Sequence, residues 1–249
     1  MEGLKVKAFK NGYTGGKEAA GTAQKIINEI RPFDVLIIPF LGNCAVTRNI
    51  DLKGANVYGV DINPDVIRAW REEGFEFIEL IEGVGWDITS QLLATQDLSR
   101  KRVCIYCDPS YRMSAIKSDR APYRFTMTDE EHLIFLECAE LWSFQANVDV
   151  IISHYPDELY DSRLKNWRKI KFKSTTRQGS ALEHLYMSYD HEDGVLQDYR
   201  FVGDDKHERY NLKHRAAKNL VSKLERLEVR KRQAMIHYLK KYLENEFGN

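Results

Sequence analysis

Short apolar runs rich in branched residues alternate with segments of helical periodicity through the first three quarters of the chain. This alternation constrains the fold more than any other feature. Residues 34–39 (DVLIIP), 56–61 (NVYGVD), 102–107 (RVCIYC) and 148–153 (VDVIIS) read as strands, and their near-continuous apolar character suits strands covered on both faces. A further strand is expected at 75–81, and two more near 169–173 and 182–189. Pro64 suits the first turn of a helix that runs through Trp70. Residues 88–93 begin another helix. Thr128, with Glu131 three residues later, forms a capping box for a third at 128–141. Strands alternating with helices predict an α/β class with a mostly parallel sheet and right-handed crossovers.

At 249 residues the chain can bury roughly 70–75% of its unfolded surface, enough for a large core without disulfide staples. The formal charge is zero, from 37 basic and 37 acidic side chains, but the charge is unevenly placed. Residues 206–249 carry 12 Lys/Arg and 5 Asp/Glu, a net +7, so residues 1–205 carry 25 and 32, a net −7. This suggests an acidic body of 1–205 and a basic tail of 206–249 whose partner is a polyanion. The tail has no Gly or Pro between Asn211 and Phe247 and an imperfect apolar stripe, so it reads as one long helix or two. Lys213, Arg215 and Lys218 are its leading candidates for phosphate contact, and the same helix could pair two copies of the chain. No run approaches the ~18 apolar residues of a membrane span, and the first 20 residues show no apolar signal core, so a cytoplasmic protein is expected. Cys104 and Cys107 form a CxxC, but at that spacing on a strand they face opposite sides, so no metal is expected.

In an open parallel sheet, ligands bind beyond the carboxyl ends of the strands, near the switch in strand order. Three strand ends stand out. The first leads into Pro39-Phe40-Leu41-Gly42-Asn43-Cys44, where Gly42 permits close backbone approach to a ligand. The second ends in Asp61, placed to accept hydrogen bonds from the hydroxyls of a ribose. The fourth ends in Asp108-Pro109-Ser110-Tyr111. That tetrapeptide offers a carboxylate and a carbonyl to accept the two hydrogens of a planar amine, and an aromatic plate to stack on the ring. No GxGxxG and no GxxxxGK[ST] occurs, so neither a dinucleotide site nor a phosphate loop is indicated.

The ordered set GYTGGK (12–17), IPFLGNCAV (38–46), VDIN (60–63), DPSY (108–111) and IISHYPDELYDSRLKNW (151–167) resembles the Dam-type, alpha-class DNA adenine-N6 methyltransferases, in particular small phage-like members. The resemblance implies a Rossmann-like S-adenosylmethionine-dependent methyltransferase sheet over 1–205 with a C-terminal helical basic extension. It implies that Tyr13, Gly15, Gly16 and Lys17 touch the methionine end of S-adenosylmethionine, that Phe40, Gly42 and Asn43 form the cofactor loop, and that Asp61, within VDIN with Asn63, holds the ribose. Asp87 corresponds to an acidic residue near the cofactor adenine. Asp108, Pro109, Ser110 and Tyr111 correspond to the catalytic Asp-Pro-Pro-Tyr, with Ser110 replacing the second proline. The implied partner is DNA, with a base flipped into the pocket, in a bacterial or phage-infected cell. Arg112, Lys117, Arg120 and Arg124 follow the motif and are expected to clamp the strand. Only about 20 residues separate Asp87 from Asp108, which leaves no room for the family's usual target-recognition insertion. An RNA adenine methyltransferase and a catalytically silent nucleic-acid-binding module are the alternatives.

Overall fold

The computed structural model describes residues 17, 21–52, 54–115, 125–176, 179–190 and 211–247. The chain divides into two compact units, 1–198 and 199–249. The boundary expected at 205/206 lies outside the described residues.

The first unit runs α1 (Thr22–Glu29), β1 (Val35–Ile38), α2 (Ala45–Asn49), β2 (Asn56–Asp61), α3 (Pro64–Glu72), β3 (Ile78–Glu82), α4 (Gly85–Thr95), β4 (Val103–Cys107), α5 (Asp129–Ser143), β5 (Val148–His154), α6 (Glu158–Arg163), β6 (Arg168–Thr176) and β7 (Gly179–Met187). Its seven strands form one sheet in the order β3-β2-β1-β4-β5-β7-β6. Strands β1 to β5 are parallel, and β7 pairs antiparallel with both β5 and β6. The order reverses between β1 and β4, which are direct neighbours with Val35 opposite Val103. This is the mostly parallel α/β sheet that the strand pattern predicts, in the Rossmann-like form that the resemblance implies.

Both faces of the sheet are covered, which explains why its strands lack polar alternation. Leu36, Ile38, Val57, Cys104, Tyr106 and Ile151 pack on one side against Ala23, Ile26 and Ile27 of α1, Ala45 and Val46 of α2, and Val66, Ile67 and Trp70 of α3. Val35, Ile37, Tyr58, Val103, Ile105, Cys107, Val150 and Ile152 pack on the other against Leu92 of α4, Phe135, Leu136, Ala139 and Trp142 of α5, and Tyr160 of α6. Cys104 and Cys107 thus enter opposite layers. Among the described residues, no cluster of His, Cys, Asp or Glu could hold a metal, and no helix is long and apolar enough to cross a membrane.

Two boundaries differ from the sequence reading. Strand β3 starts at Ile78 and not at residue 75. Gly74, at φ +75°, ends the α3 turn, and Phe75 then packs at a tilt against Trp70 with ring centroids 4.9 Å apart instead of joining the ladder. Helix α4 starts at Gly85, three residues before Ile88. Its first turn lies directly against the end of β1: a Cβ at Gly85 would stand 2.0 Å from the Pro39 carbonyl oxygen.

The second unit holds a single wide helical turn (Asn211–Ala216), α7 (Ala217–Glu225) and α8 (Val229–Phe247). The helical tail is therefore two helices. Their junction is tied by Arg232, whose guanidinium donates to the carbonyls of Leu224 (3.0 Å) and Glu225 (2.6 Å) at the end of α7 and of Leu227 (3.2 Å) in the connection.

Candidate active site

Strands β2, β1 and β4 lie side by side and parallel, so their carboxyl ends share one edge of the sheet. Beyond β1 the chain turns through Gly42, which takes a left-handed φ of +43°. The Gly42 amide donates to Asp61 Oδ2 at 2.8 Å, and the Asn63 amide donates to Asp61 Oδ1 at 2.8 Å. The Gly42 carbonyl accepts from the indole of Trp70 at 2.7 Å. Asp61 is 8% exposed; burial pushes its carboxyl above the usual range, and the two amide donors work against that rise. The Asn43 carbonyl is gripped by the buried Arg48 guanidinium at 3.1 and 2.6 Å, which fixes the loop from below.

The other residues of this cofactor set have mixed placements. Asn63 caps α3, its Oδ1 accepting from the Asp65 amide at 3.0 Å. Phe40 packs edge-on against Phe135, centroids 5.1 Å apart, on the α5 side of the sheet. Asp87 is exposed in the first turn of α4. Tyr13, Gly15 and Gly16 lie outside the described residues.

The end of β4 carries the densest polar cluster. Asp108 Oδ1 accepts from Lys17 Nζ at 2.9 Å and from Ser153 Oγ of β5 at 3.0 Å, and Ser153 is joined in turn to the Tyr106 hydroxyl at 3.3 Å. Burial raises the Asp108 carboxyl; the Lys17 ammonium and the Ser153 hydroxyl oppose that shift. Lys17 also bonds the Tyr111 hydroxyl and pairs with Glu183 Oε2 of β7 at 3.1 Å. Tyr111 stacks on Tyr155 at 4.0 Å, and its hydroxyl donates toward both oxygens of Glu183 at 3.4 and 3.5 Å. Cys44 stands in the loop after β1, at the start of α2. Burial pushes its thiol up, and the Asp108 charge adds to that.

Ser110, the departure from a second proline, has a specific use: its hydroxyl accepts from the Met127 amide at 2.9 Å and ties the turn to the approach of α5. Arg112 is held within the fold. Its amide donates to His154 Nε2 (3.2 Å), and its guanidinium bonds both oxygens of Asp157 (2.9 and 3.1 Å) and Asp129 (3.0 Å). Lys117, Arg120 and Arg124 lie outside the described residues. In the tail, Lys213 belongs to the wide turn, while Arg215 and Lys218 are exposed on the second unit.

The sequence reading did not single out Glu183. The available signal was a carboxylate beside a histidine within the otherwise apolar run ALEHLYM, a position that needs a buried partner. His154, fully buried and stacked on Tyr160 at 3.9 Å, donates from Nδ1 to the Tyr155 carbonyl at 2.8 Å. Burial drives its pKa down to about 3, from 6.5. The unfolded chain therefore takes up this proton as pH falls below 6.5 while the folded chain does not, so stability is present above 6.5 and drains away toward pH 3. His154→Gln is expected to flatten the stability profile between pH 6.5 and 4.5 by about 1.4 kcal/mol per pH unit, read from denaturant midpoints. An unchanged acid slope would contradict the buried neutral imidazole.

No family model matches the chain, and no curated protein sequence matches it. Among solved structures, it is similar to a SAM-dependent methyltransferase from Agrobacterium tumefaciens at 14% identity and a TM-score of 0.41, covering 67% of this chain and 60% of that one. It is similar to the hMettl16 catalytic domain in complex with the MAT2A 3'UTR hairpin 1 at 11% identity and a TM-score of 0.44, covering 68% and 67%. It is also similar to the human methyltransferase 10 domain containing protein at 10% identity and a TM-score of 0.43, covering 67% and 79%. The chain thus spans less than two thirds of the Agrobacterium protein's length.

Proposed function

We propose that this chain is an S-adenosylmethionine-dependent methyltransferase acting on the N6 amine of adenine in DNA. The observation that carries the reading is the arrangement at one sheet edge. The Asp61–Gly42 cradle ends β2 and β1, and Asp108, held by Lys17 and Ser153, ends the neighbouring β4.

The donor set fits the cofactor. Each Asp61 oxygen accepts one backbone amide, and a carboxylate oxygen has a second lone pair to offer a ribose hydroxyl. Gly42 brings bare backbone to the same place. When bound, S-adenosylmethionine supplies an electrophilic methyl group on a sulfonium. The chain's own residues handle the amine. An adenine N6 is a weak nucleophile because its lone pair is delocalised into the ring. Asp108 and the Pro109 carbonyl accept its two hydrogens and localise that pair. Tyr111 is buried, stacked on Tyr155 with Lys17 Nζ 4.8 Å from its ring centroid, so stacking on a base requires this ring or its neighbours to shift. Stacking of that kind contributes roughly 1–3 kcal/mol per base, which offsets part of the cost of extruding a base from a duplex. The exposed cations of the tail, Arg215 and Lys218 among them, are the part proposed to meet the phosphates.

The direct test is transfer of a tritiated methyl group from S-adenosylmethionine to unmethylated duplex DNA and, separately, to RNA, followed by nucleoside digestion. N6-methyladenine in the DNA digest is the expected result. Label confined to RNA overturns the DNA assignment in favour of an RNA adenine enzyme. Cofactor binding without transfer to either polymer identifies a silent binding module.

A further inference from the structure

Glu183 is a buried carboxylate to which the mechanism above gives no electrostatic part. It reaches the site from β7, the one reversed strand, and is 2% exposed. Its Oε2 lies 3.1 Å from Lys17 Nζ, and the opposite flank of that ammonium bonds Asp108 Oδ1 at 2.9 Å. The Lys17–Glu183 pair is almost without solvent, at 4% and 3% exposed, while the Asp108 side chain keeps 19% exposure on the side open to a ligand. Burying a lysine against a single carboxylate gives a neutral pair that presents a dipole to its surroundings. Placing the same lysine between two carboxylates leaves one negative charge in excess. Screening by water and salt is weak at such depth, so that excess acts on whatever charge comes close.

We propose that Glu183 is a positioning residue that neutralises Lys17 and thereby leaves the charge of Asp108 to a cationic ligand. The assignment rests on the reading given under Proposed function, because it supplies the cation. S-adenosylmethionine carries a positive sulfonium, and the methylated amine inherits that charge before its proton leaves. Without Glu183 the Lys17 ammonium would cancel Asp108 and repel both. Glu183 serves Tyr111 as well, since the same carboxylate accepts the phenol hydrogen. Glutamine can still accept from Lys17 and Tyr111, so Glu183→Gln removes the charge while keeping the shape.

The test compares two ligands that differ in one methyl group and one charge: cationic S-adenosylmethionine and neutral S-adenosylhomocysteine, each titrated calorimetrically into the full chain. In Glu183→Gln the affinity for the cation is expected to fall about tenfold or more, while that for the neutral ligand stays within about threefold. Adding Lys17→Met to Glu183→Gln returns the site to a single negative charge, and the cation preference is expected to recover. That recovery is a result that a purely structural role of Glu183 would not give. Equal losses for both ligands in folded Glu183→Gln, or an unchanged preference, overturn the assignment. If Glu183→Gln does not fold, the double variant decides: a cation preference near that of the unsubstituted chain supports the proposal, and its loss overturns it. Failure of the unsubstituted chain to bind either ligand strikes the cofactor reading itself, and this assignment falls with it.

Discussion

Replacing Asp108 with alanine or asparagine is expected to lower methyl transfer at saturating cofactor by about 10³-fold, while affinity for neutral S-adenosylhomocysteine stays within about threefold. The size follows from the position of the carboxylate. One of its oxygens, Oδ1, is already anchored by Lys17 and Ser153, which restrains the group and leaves the acceptor capacity of Oδ2 for an amine. Alanine removes the acceptor outright. Asparagine keeps the shape but carries no charge, and its amide presents hydrogens where acceptors are needed. Lys17 keeps Glu183 as a partner in either variant, so the buried ammonium is not stranded and the fold should survive. Single-turnover kinetics beside calorimetric titration of S-adenosylhomocysteine separate the two effects. Turnover within tenfold of the unsubstituted chain would falsify the role assigned to Asp108.

The second large effect is structural. Gly85→Ala is expected to destabilise the chain by about 3 kcal/mol, read as a lower denaturant midpoint with unchanged slope. The added Cβ would meet the Pro39 carbonyl oxygen at 2.0 Å and Pro39 Cβ at 3.0 Å. A backbone oxygen cannot rotate away as a flexible side chain does, so α4 must back off from the end of β1. That displacement reaches Trp86, whose ring lies 6.3 Å from Phe40, and with it the loop through Gly42. Cofactor affinity should therefore fall with stability. A midpoint shift under about 0.5 kcal/mol would show that the helix gives way freely.

These contacts also show where the sequence was readable. The first, second and fourth strands were legible because each is a run of branched and aromatic residues ending in Pro or Asp, and a strand buried on both faces must look that way. Strand β3 began late because two aromatic side chains that mimic strand residues, Phe75 and Phe77, pair with each other at 5.5 Å in the turn before it. Gly85 was invisible as a contact, since the reason for a glycine there is a carbonyl from a distant segment. In the site, Asp61 and Asp108 could be found because each ends a strand, a position the pattern itself marks. Glu183 showed only as a carboxylate in an apolar run, and its place in the site comes from an antiparallel strand inserted between β5 and β6, which nothing local in the chain records. Arg112 illustrates the reverse. A cation after a catalytic turn reads as a phosphate contact, yet Asp129 and Asp157 claim it. Burial opposes ionisation of Asp157, but Arg112 and Ser114 hold that carboxyl below its usual range.

The groups that meet at the sheet edge come from five different strands or the turns that follow them: Gly42 after β1, Asp61 of β2, Asp108 after β4, Ser153 of β5 and Glu183 of β7. No fragment of the sheet contains them all, so the site exists only once the whole sheet has formed. Ligand occupancy and sheet completion then become one thermodynamic event. A hundredfold excess of ligand over its dissociation constant would stabilise the entire parallel array by roughly 2.7 kcal/mol, reaching strands that the ligand never touches.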